Sequence, residues 1–350
     1  MNKISKYFLG ILASALLITP SFAGEMSVTG SANASYVTNG DDESTGKNIG
    51  VSNELDFTAS GELDNGMTWT YQVQLDGANT ANDDTKLVIG TDYGTIGIAS
   101  TEMGLSQELV HSVGALGTGY DHGSPTSFEV GYDVSDYGNI QYHTPADMLP
   151  FGAVVRLGYA PDMNDTAQLS NKESNSAPGS QATGRALQMA NITLSPMDGL
   201  SIGGDVAATQ DETGTSGSNG TEQGVSANLG ASYTMGQFSV GYMEGGYQPA
   251  VASGEIAYYE TKGYGIQFDV NDALSVSYNK DKSNKVQRVA VAVAATAGTT
   301  TETEMESTSI QLAYTTGGAT LGIAQVEVDN SDYTTAKDEA QTIITLGISF

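Results

Sequence analysis

The stretch that decides the fold is Leu55–Asp76, with the sequence LDFTASGELDNGMTWTYQVQLD. Apolar or small residues alternate with polar ones on both sides of Asn65-Gly66. An alternation of period two is typical of a β-strand whose two faces meet different surroundings. Asn-Gly between two such runs indicates a tight hairpin, because a type I′ turn requires positive φ at both central residues. The stretch therefore predicts two antiparallel strands joined by a short turn.

The same alternation continues along the chain, where short turns are followed by long polar segments. Short turns are predicted at Asp64–Gly66, Asp92–Gly94, Pro196–Gly199, Met235–Gly236, Asn271–Asp272 and Thr316–Gly318. Long polar segments are predicted at Asn39–Gly50, Asn79–Asp84, Pro161–Gly184, Gln210–Gln223, Asn279–Glu304 and Asp329–Lys337. An up-and-down barrel with tight turns at one rim and long loops at the other produces this rhythm. The chain has room for about 16 strands of roughly 8–12 residues, the length of a tilted membrane strand.

The two faces of the strands predict lipid outside and water inside. On the last strand, Ile344, Leu346 and Ile348 share one apolar face. The polar faces of the early strands, with residues such as Asp56 and Gln72, are too polar for the dry core of a soluble sandwich. Since lipid offers the backbone no hydrogen bonds, a membrane sheet must close on itself. We therefore expect an all-β fold, a transmembrane antiparallel up-and-down barrel. Its interfacial aromatic girdle is predicted to comprise Tyr36, Trp69, Tyr71, Tyr159, Tyr233, Tyr242, Tyr264, Tyr278 and Tyr314.

Composition excludes several classes of protein. The 350 residues carry 41 acidic side chains against 13 lysines and arginines, a formal net charge of −28. Such a surface repels phosphate groups, so we expect no nucleic-acid partner. The absence of cysteine excludes disulfide scaffolds and Cys-ligated metal sites. A mean hydropathy of −0.20 argues against a helical membrane protein.

Residues 1–23 predict a signal peptide that is removed after export. Lys3 and Lys6 provide the positive start, Phe8–Ile18 the apolar core, and Ser21-Phe22-Ala23 the small residues of a cleavage site. A retained membrane anchor is disfavoured, because a bilayer span needs about 20 apolar residues. The barrel is then expected to occupy residues 24–350.

Three short motifs resemble the general porins of Gram-negative bacteria, most closely the α-proteobacterial type. They are Gly61–Gly66 (GELDNG), Gln141–Pro145 (QYHTP) and Ile344–Phe350 (ITLGISF). The rhythm of strands and loops that goes with them covers the whole chain after the signal peptide. The resemblance implies a homotrimer in the lipid of the outer membrane, each subunit a 16-stranded, water-filled channel for small hydrophilic solutes and ions. It also implies that the third external loop folds inward as a constriction.

The candidate for that loop is Thr101–Gly138, which contains no lysine or arginine. Its carboxylates Glu102, Glu108 and Asp121 are predicted to line the constriction, where acidic groups favour cations and disfavour anions. The alternative is an ordinary solvated external loop. A short strand over Phe128–Val134 is a further possibility within this stretch.

The early strands depart from the porin pattern, in which arginines and lysines face the acidic loop. Here Glu54, Asp56, Glu62 and Asp76 are predicted to point into the lumen, with Lys86 as the main basic exception. We also predict that Arg156, the first arginine of the chain, faces inward, because an arginine facing lipid at mid-depth is costly. The sequence therefore predicts a largely acidic pore that prefers cations.

Metal sites find little support in the sequence. His111 and His122 share the long loop with Glu108 and Asp121, but their spacing matches no zinc motif, so solvated or pore-lining histidines are preferred. Calcium bridging is an alternative to a solvated acidic rim at the external loop residues Asp41, Asp42, Glu43, Asp83 and Asp84.

We expect no enzyme, since the sequence contains no His-Glu-x-x-His motif. The alternative function is a secreted acidic structural protein, similar to those of bacterial surface layers. That class would show repeated domains or arrays of Gly-Gly-x-Gly-x-Asp, and the sequence has neither. The diffusion channel is therefore the preferred function.

Overall fold

The alternating runs on both sides of Asn65-Gly66 form strands in the computed structural model. The structure describes residues 24–39, 48–76, 84–108, 110–117, 124–161, 163, 186–210, 223–249, 256–288 and 300–350. The predicted signal peptide, the acidic residues 41–43 and 83, Asp121, His122 and most of Pro161–Gly184 lie outside these residues. Among the residues described, no helix is long and apolar enough to cross a membrane.

Sixteen antiparallel strands form one closed barrel, in which every strand pairs with its neighbours along the chain. The first eight strands are β1 Glu25–Asn39, β2 Asn48–Glu62, β3 Thr68–Asp76, β4 Thr85–Thr91, β5 Gly94–Ser100, β6 Asn139–His143, β7 Val154–Ala160 and β8 Leu187–Met197. The last eight are β9 Leu200–Thr209, β10 Val225–Met235, β11 Phe238–Gln248, β12 Ile256–Asn271, β13 Leu274–Arg288, β14 Thr300–Thr316, β15 Ala319–Asp329 and β16 Glu339–Ser349. The fold predicted from the sequence is confirmed.

The two ends of the chain close the barrel. Strand β1 pairs with β16, with Ala34 opposite Leu346. The backbones of Gly30 and Phe350 exchange two hydrogen bonds of 2.9 and 3.0 Å. Closure leaves no strand edge open, which a barrel in lipid requires.

Tight turns and long connections occupy opposite rims, as the sequence rhythm predicts. At the short-turn rim, Gly66, Gly199 and Gly236 have positive φ, which glycine adopts without a steric penalty. The long-loop rim carries the connections that follow β1, β3, β5 and every later odd-numbered strand.

One of the predicted loops is wrong in its bounds. The segment Asn279–Glu304 was expected to be a long loop, but β13 continues to Arg288 and β14 begins at Thr300. The strands project far towards the long-loop rim, and there their outer faces are charged. Lys282 is bonded to Glu304 at 2.8 Å and to Glu306 at 2.7 Å on that face. Because these parts of the strands are polar on both faces, apolar and polar residues do not alternate there, and the sequence does not predict a strand.

The strand register fixes which side chains face outward. Phe57 lies opposite both Val28 and Val73, while Asp56 on the other face lies opposite Gln74. All nine aromatic residues predicted for the girdle lie at outward-facing positions of their strands. Tyr242 and Tyr264 are opposite each other with ring centroids 5.1 Å apart, at the border between the apolar band and the charged ends of β11–β15.

Candidate channel constriction

The described residues of the connection between β5 and β6, 101–108, 110–117 and 124–138, fold into the barrel and are called the inner loop below. Near its start, Leu105 is fully buried against the lumen face of β7–β9. It packs with Val134 from the returning end of the loop and with Ala160, Leu187 and Met189 of the wall. Burying such a side chain contributes about 1.5–3 kcal/mol. The inner loop is thus anchored where it enters the lumen.

Three of the four residues Val113–Leu116 of the inner loop are hydrogen-bonded to the lumen face of β13 and β14. The carbonyl of Val113 accepts from Asn279 Nδ2 at 2.6 Å. The amide of Ala115 donates to Ser277 Oγ at 2.9 Å, and the amide of Leu116 donates to Gln311 Oε1 at 2.8 Å. Backbone groups of an irregular segment that are buried away from water need such partners. The wall side chains therefore take the place of a strand partner.

Glycines on the wall let this leg of the loop approach closely. An added Cβ at Gly241 would collide with the carbonyl oxygen of His111, and one at Gly265 with the backbone of Val113. Both positions face the lumen beneath the loop. The wall of β9–β14 is therefore shaped to receive the inner loop.

The returning leg of the inner loop is joined to the last long loop, residues 330–338. Thr126 Oγ1 donates to Asp332 Oδ1 at 2.6 Å, and the amide of Glu129 donates to the hydroxyl of Tyr333 at 3.0 Å. Tyr132 of the inner loop makes an edge contact with Tyr247, with centroids 5.1 Å apart. Within the described part of this leg, Phe128–Val134 contains no strand; a single 3-10 turn begins at Val134.

The contacts described above join the inner loop to the lumen face of β7–β15 and to the last long loop, and its start also contacts β5 and β6. In addition, Glu102 of the inner loop forms an ion pair with Lys86 of β4. Met103 accepts from Gln141 Nε2 through its carbonyl and packs against Gly97. We call the lumen face of β7–β15 the covered wall, and that of β1–β4 the open wall. The lumen beside the open wall is the candidate constriction.

The open wall carries two of the predicted acidic residues, Glu54 and Asp56, in the middle of the lumen face of β2. Gln72 Nε2 donates to Asp56 Oδ1 at 2.6 Å, and Gln74 Nε2 donates to Glu54 Oε1 at 2.5 Å. Both carboxylates are partly exposed. Amide donors orient a carboxylate without cancelling its charge, so this wall is negative.

The predicted loop residue Glu102 is neutralised by its surroundings. Its Oε2 lies 3.0 Å from Lys86 Nζ of β4, and both side chains are mostly buried. The amide of Met103 donates to the same oxygen at 3.2 Å. Glu102 and Lys86 therefore act as a pair that joins the loop start to the open wall.

The other predicted site residues are spread along the lumen. Glu108 is partly buried in the inner loop, 3.5 Å from Ser106 Oγ. Glu62 lies at the short-turn rim, opposite Thr68, and Asp76 lies at the end of β3, opposite Glu54. Arg156 faces the lumen of β7 and donates from Nη1 to Asn191 Oδ1 at 2.8 Å and to Thr193 Oγ1 at 2.9 Å. The structure thus brings Glu54 and Asp56 together, and Lys86 with Glu102, and places Glu62 at the short-turn rim. Arg156 lies beside the start of the inner loop, because its partner Asn191 donates from Nδ2 to the carbonyl of Leu105 at 2.8 Å.

Three carboxylates that the sequence did not single out as site residues hold the inner loop in place. Asp133 accepts from the amides of Leu105 and Ser106, Asp205 accepts from the amide of Gln107 at 2.6 Å, and Asp281 accepts from Ser112 Oγ at 2.9 Å. For Asp205 the only signal was a lone acidic residue at a lumen-facing position of a strand, and Asp281 lay in a segment predicted to be a loop. Neither observation distinguishes a loop anchor from a pore-lining charge.

His111 is buried between the inner loop and the covered wall, with 3% of its surface exposed. Its Nδ1 lies 3.3 Å from Ser232 Oγ. Burial lowers the pKa of His111, which keeps the imidazole neutral at pH 7. Among the described residues, no group of three or more His, Cys, Asp or Glu side chains is suited to hold a metal ion.

One short segment matches the Gly-x-Ser-x-Gly motif of a nucleophile elbow. Gly199–Gly203 reads Gly-Leu-Ser-Ile-Gly. A nucleophile elbow lies between a strand and a helix, whereas this segment runs from the β8–β9 turn into β9. The segment therefore lacks the strand-to-helix turn that a nucleophile elbow requires.

Solved structures share this fold at low sequence identity. A porin refined at 1.8 Å resolution is 13% identical with a TM-score of 0.61, covering 93% of this chain and 100% of that one. A trimer form of OmpT, an outer membrane protein of Vibrio cholerae, is 12% identical with a TM-score of 0.60, covering 94% and 100%. An anion-selective porin from Comamonas acidovorans is 13% identical with a TM-score of 0.59, covering 93% and 100%.

At this identity the likeness shows the fold alone. It supports the general porin architecture and does not single out the α-proteobacterial type. No protein-family model and no curated protein matches the sequence.

Proposed function

We propose that the chain forms a water-filled channel of the bacterial outer membrane for passive diffusion of small hydrophilic solutes and ions. The observation that carries this proposal is the closed sixteen-stranded barrel with an apolar outer band and a polar lumen. The inner loop lies against the covered wall and so narrows the lumen beside the open wall. Polar walls keep the path wet, and no covalent step or energy source is involved.

The proposed channel prefers cations. Glu54 and Asp56 face the path with neutral amide partners, whereas Glu102 is paired with Lys86. Fixed negative charge beside a narrow passage with low-dielectric walls concentrates cations and repels anions. In this proposal the open wall sets the preference more than the loop carboxylates do, and the roles first expected for Glu108 and Asp121 are secondary.

Export, location and assembly belong to the same proposal. Cleavage after residue 23 would release the barrel outside the cytoplasm, and insertion into the outer membrane would cover its apolar band with lipid. We propose a homotrimer because the outward faces of the described strands β1–β7 carry no charged side chain, and because a trimeric outer membrane protein shares the fold. Calcium at the acidic external loops remains a proposal of lower rank, since only Asp84 of those residues is described.

The competing classes have less support. The outward apolar band and the closed sheet suit a membrane protein better than a secreted surface-layer protein. A passive channel also suits the solved structures of this fold that are described as porins. We therefore propose no catalytic activity.

The test is the conductance of the detergent-purified chain, without residues 1–23, in a planar bilayer under a KCl gradient. We expect stepwise openings in groups of three, with a reversal potential that favours K⁺. Selectivity for anions would keep the channel and contradict its proposed charge preference. Folded protein that gives no conductance would contradict the channel itself.

A further inference from the structure

Four polar side chains form a compact block on the covered wall beneath the inner loop. On neighbouring strands, Asp281 lies opposite Ser307 and Asn279 lies opposite Ser309. All four face the lumen, and side chains at such paired positions have Cβ atoms about 4.5–5.5 Å apart. Each of the four has at most 1% of its surface exposed. The block is therefore sealed from the water of the channel.

The inner loop forms the lid of this block. Ser112, also fully buried, donates from Oγ to Asp281 Oδ1 at 2.9 Å and lies 3.4 Å from Asn279 Nδ2. Gly114 lies directly over the amide, since an added Cβ there would be 3.0 Å from Asn279 Oδ1. Five buried oxygen-bearing side chains thus lie together where the inner loop crosses β13 and β14.

Three oxygens of these side chains have no hydrogen-bond partner among the described residues. They are Asn279 Oδ1, Ser307 Oγ and Ser309 Oγ, each inaccessible to water. The orientation of the Asn279 amide is fixed, because its Nδ2 donates to the carbonyl of Val113 at 2.6 Å. Leaving one buried polar group unsatisfied costs about 1–3 kcal/mol. Three such groups side by side indicate an occupant that accepts their lone pairs.

We infer that a small hard monovalent cation, Na⁺ in the first instance, occupies a chamber between these side chains and fastens the inner loop to β13 and β14. Carboxylate, amide and hydroxyl oxygens are ligands for hard cations. Asp281 is the one acidic member of the set, so the set favours a cation of single charge. A divalent ion would need more carboxylates, as calcium sites usually provide. The ion would join Ser112 of the loop to two strands of the wall.

Thermal unfolding of the detergent-folded protein tests the inference. NaCl is compared with N-methylglucamine chloride at equal ionic strength, because a ligand that binds only the folded state raises the unfolding temperature. We expect a saturable rise with Na⁺ in the unmodified protein. In Ser307→Ala/Ser309→Ala the half-saturating Na⁺ concentration should rise at least about tenfold, as for lost metal-site interactions generally. If the double variant fails to refold, the half-saturating Na⁺ concentration is measured in Ser307→Ala and Ser309→Ala separately.

Ser283→Ala is the matched control. Ser283 is a fully buried serine on the same face of β13, bonded to Thr261 and Tyr333 rather than to the block. Its loss should lower the unfolding temperature in both salts and leave the Na⁺ dependence unchanged. Crystals in which Tl⁺ replaces Na⁺ give a direct second measurement, with an anomalous peak expected between Asn279, Ser307 and Ser309.

Two results would overturn the inference. One is an unfolding temperature of the unmodified protein that is the same in both salts, together with a chamber free of anomalous signal. The other is a double variant that is more stable in both salts, since removing truly unsatisfied hydroxyls is stabilising. Neither result depends on conductance, so the cation site and the channel can fail independently.

Discussion

The covered wall and the open wall both carry acidic side chains, but these side chains make different contacts on the two walls. On the covered wall, Asp205 and Asp281 are buried and accept hydrogen bonds from the inner loop. On the open wall, Glu54 and Asp56 are partly exposed and accept only from glutamine amides. Burial therefore decides whether a lumen carboxylate serves as an anchor or stays a charge exposed in the lumen. The number of acidic residues in the sequence does not show which of them are buried and which are exposed.

The largest expected effect comes from disturbing the covered wall at Gly241. In Gly241→Ala the new Cβ collides with the carbonyl of His111, so the loop or strand must shift at a cost of about 1–3 kcal/mol. The urea unfolding midpoint of the refolded protein should fall, and the single-channel conductance should change.

Gly246→Ala is the control on the same strand. Gly246 faces outward, and an added Cβ meets only a backbone oxygen of Tyr259 at 3.9 Å. Both variants alter the unfolded chain alike, so their difference isolates the contact with the loop. Equal midpoints for the two variants would mean that the inner loop does not rest on the covered wall.

A smaller effect is expected where the inner loop meets the last long loop. Tyr333→Phe removes the acceptor of the Glu129 amide and the partner of Ser283 Oγ, a loss of about 1 kcal/mol. The unfolding midpoint should fall accordingly, and openings should become noisier. Tyr278→Phe on the outer face provides the comparison. If Tyr333→Phe is as stable and as quiet as Tyr278→Phe, the last long loop does not hold the inner loop.

The smallest effect concerns pH. Because burial lowers the pKa of His111 in the folded protein, the unfolded state binds its proton first. Protonation of this histidine therefore favours the unfolded state. The free energy of unfolding should fall as the pH drops below about 6.5, the ordinary pKa of a histidine. The His111→Gln variant should show a flatter dependence of the urea midpoint between pH 7.5 and roughly 5. Parallel curves for the variant and the unmodified protein would show that His111 does not titrate in this way.

The barrel was predictable because the two faces of most strands differ in polarity, and this difference appears in the sequence as an alternation of apolar and polar residues. Leu55–Asp76 alternates between an apolar outer face and a polar lumen face, and the structure forms β2 and β3 there. The alternation fails in Asn279–Glu304, since the outer faces of β13 and β14 carry Lys282, Glu304 and Glu306. Outside an apolar band, a strand can be polar on both faces, and the sequence then reads as a loop.

The candidate site was less predictable because it depends on contacts between distant segments. The lumen-facing positions of Glu54 and Asp56 follow from the alternation. The pairing of Glu102 with Lys86 depends on how the inner loop leaves β5, which local sequence does not encode. The anchoring of the loop by Asp205 and Asp281 joins residues about a hundred or more positions apart. Such contacts become visible only with the closed barrel.

The central claim is that charge on the open wall sets the ion preference, and the reversal potential in a KCl gradient tests it most directly. Two variants are compared with the unmodified protein: Glu54→Gln/Asp56→Asn, which removes two unpaired negative charges, and Lys86→Gln/Glu102→Gln, which removes a neutral pair. We predict that the first variant loses most of the preference for K⁺, while the second keeps its reversal potential. An unchanged potential in the first variant, or an equal shift in both, would contradict the account.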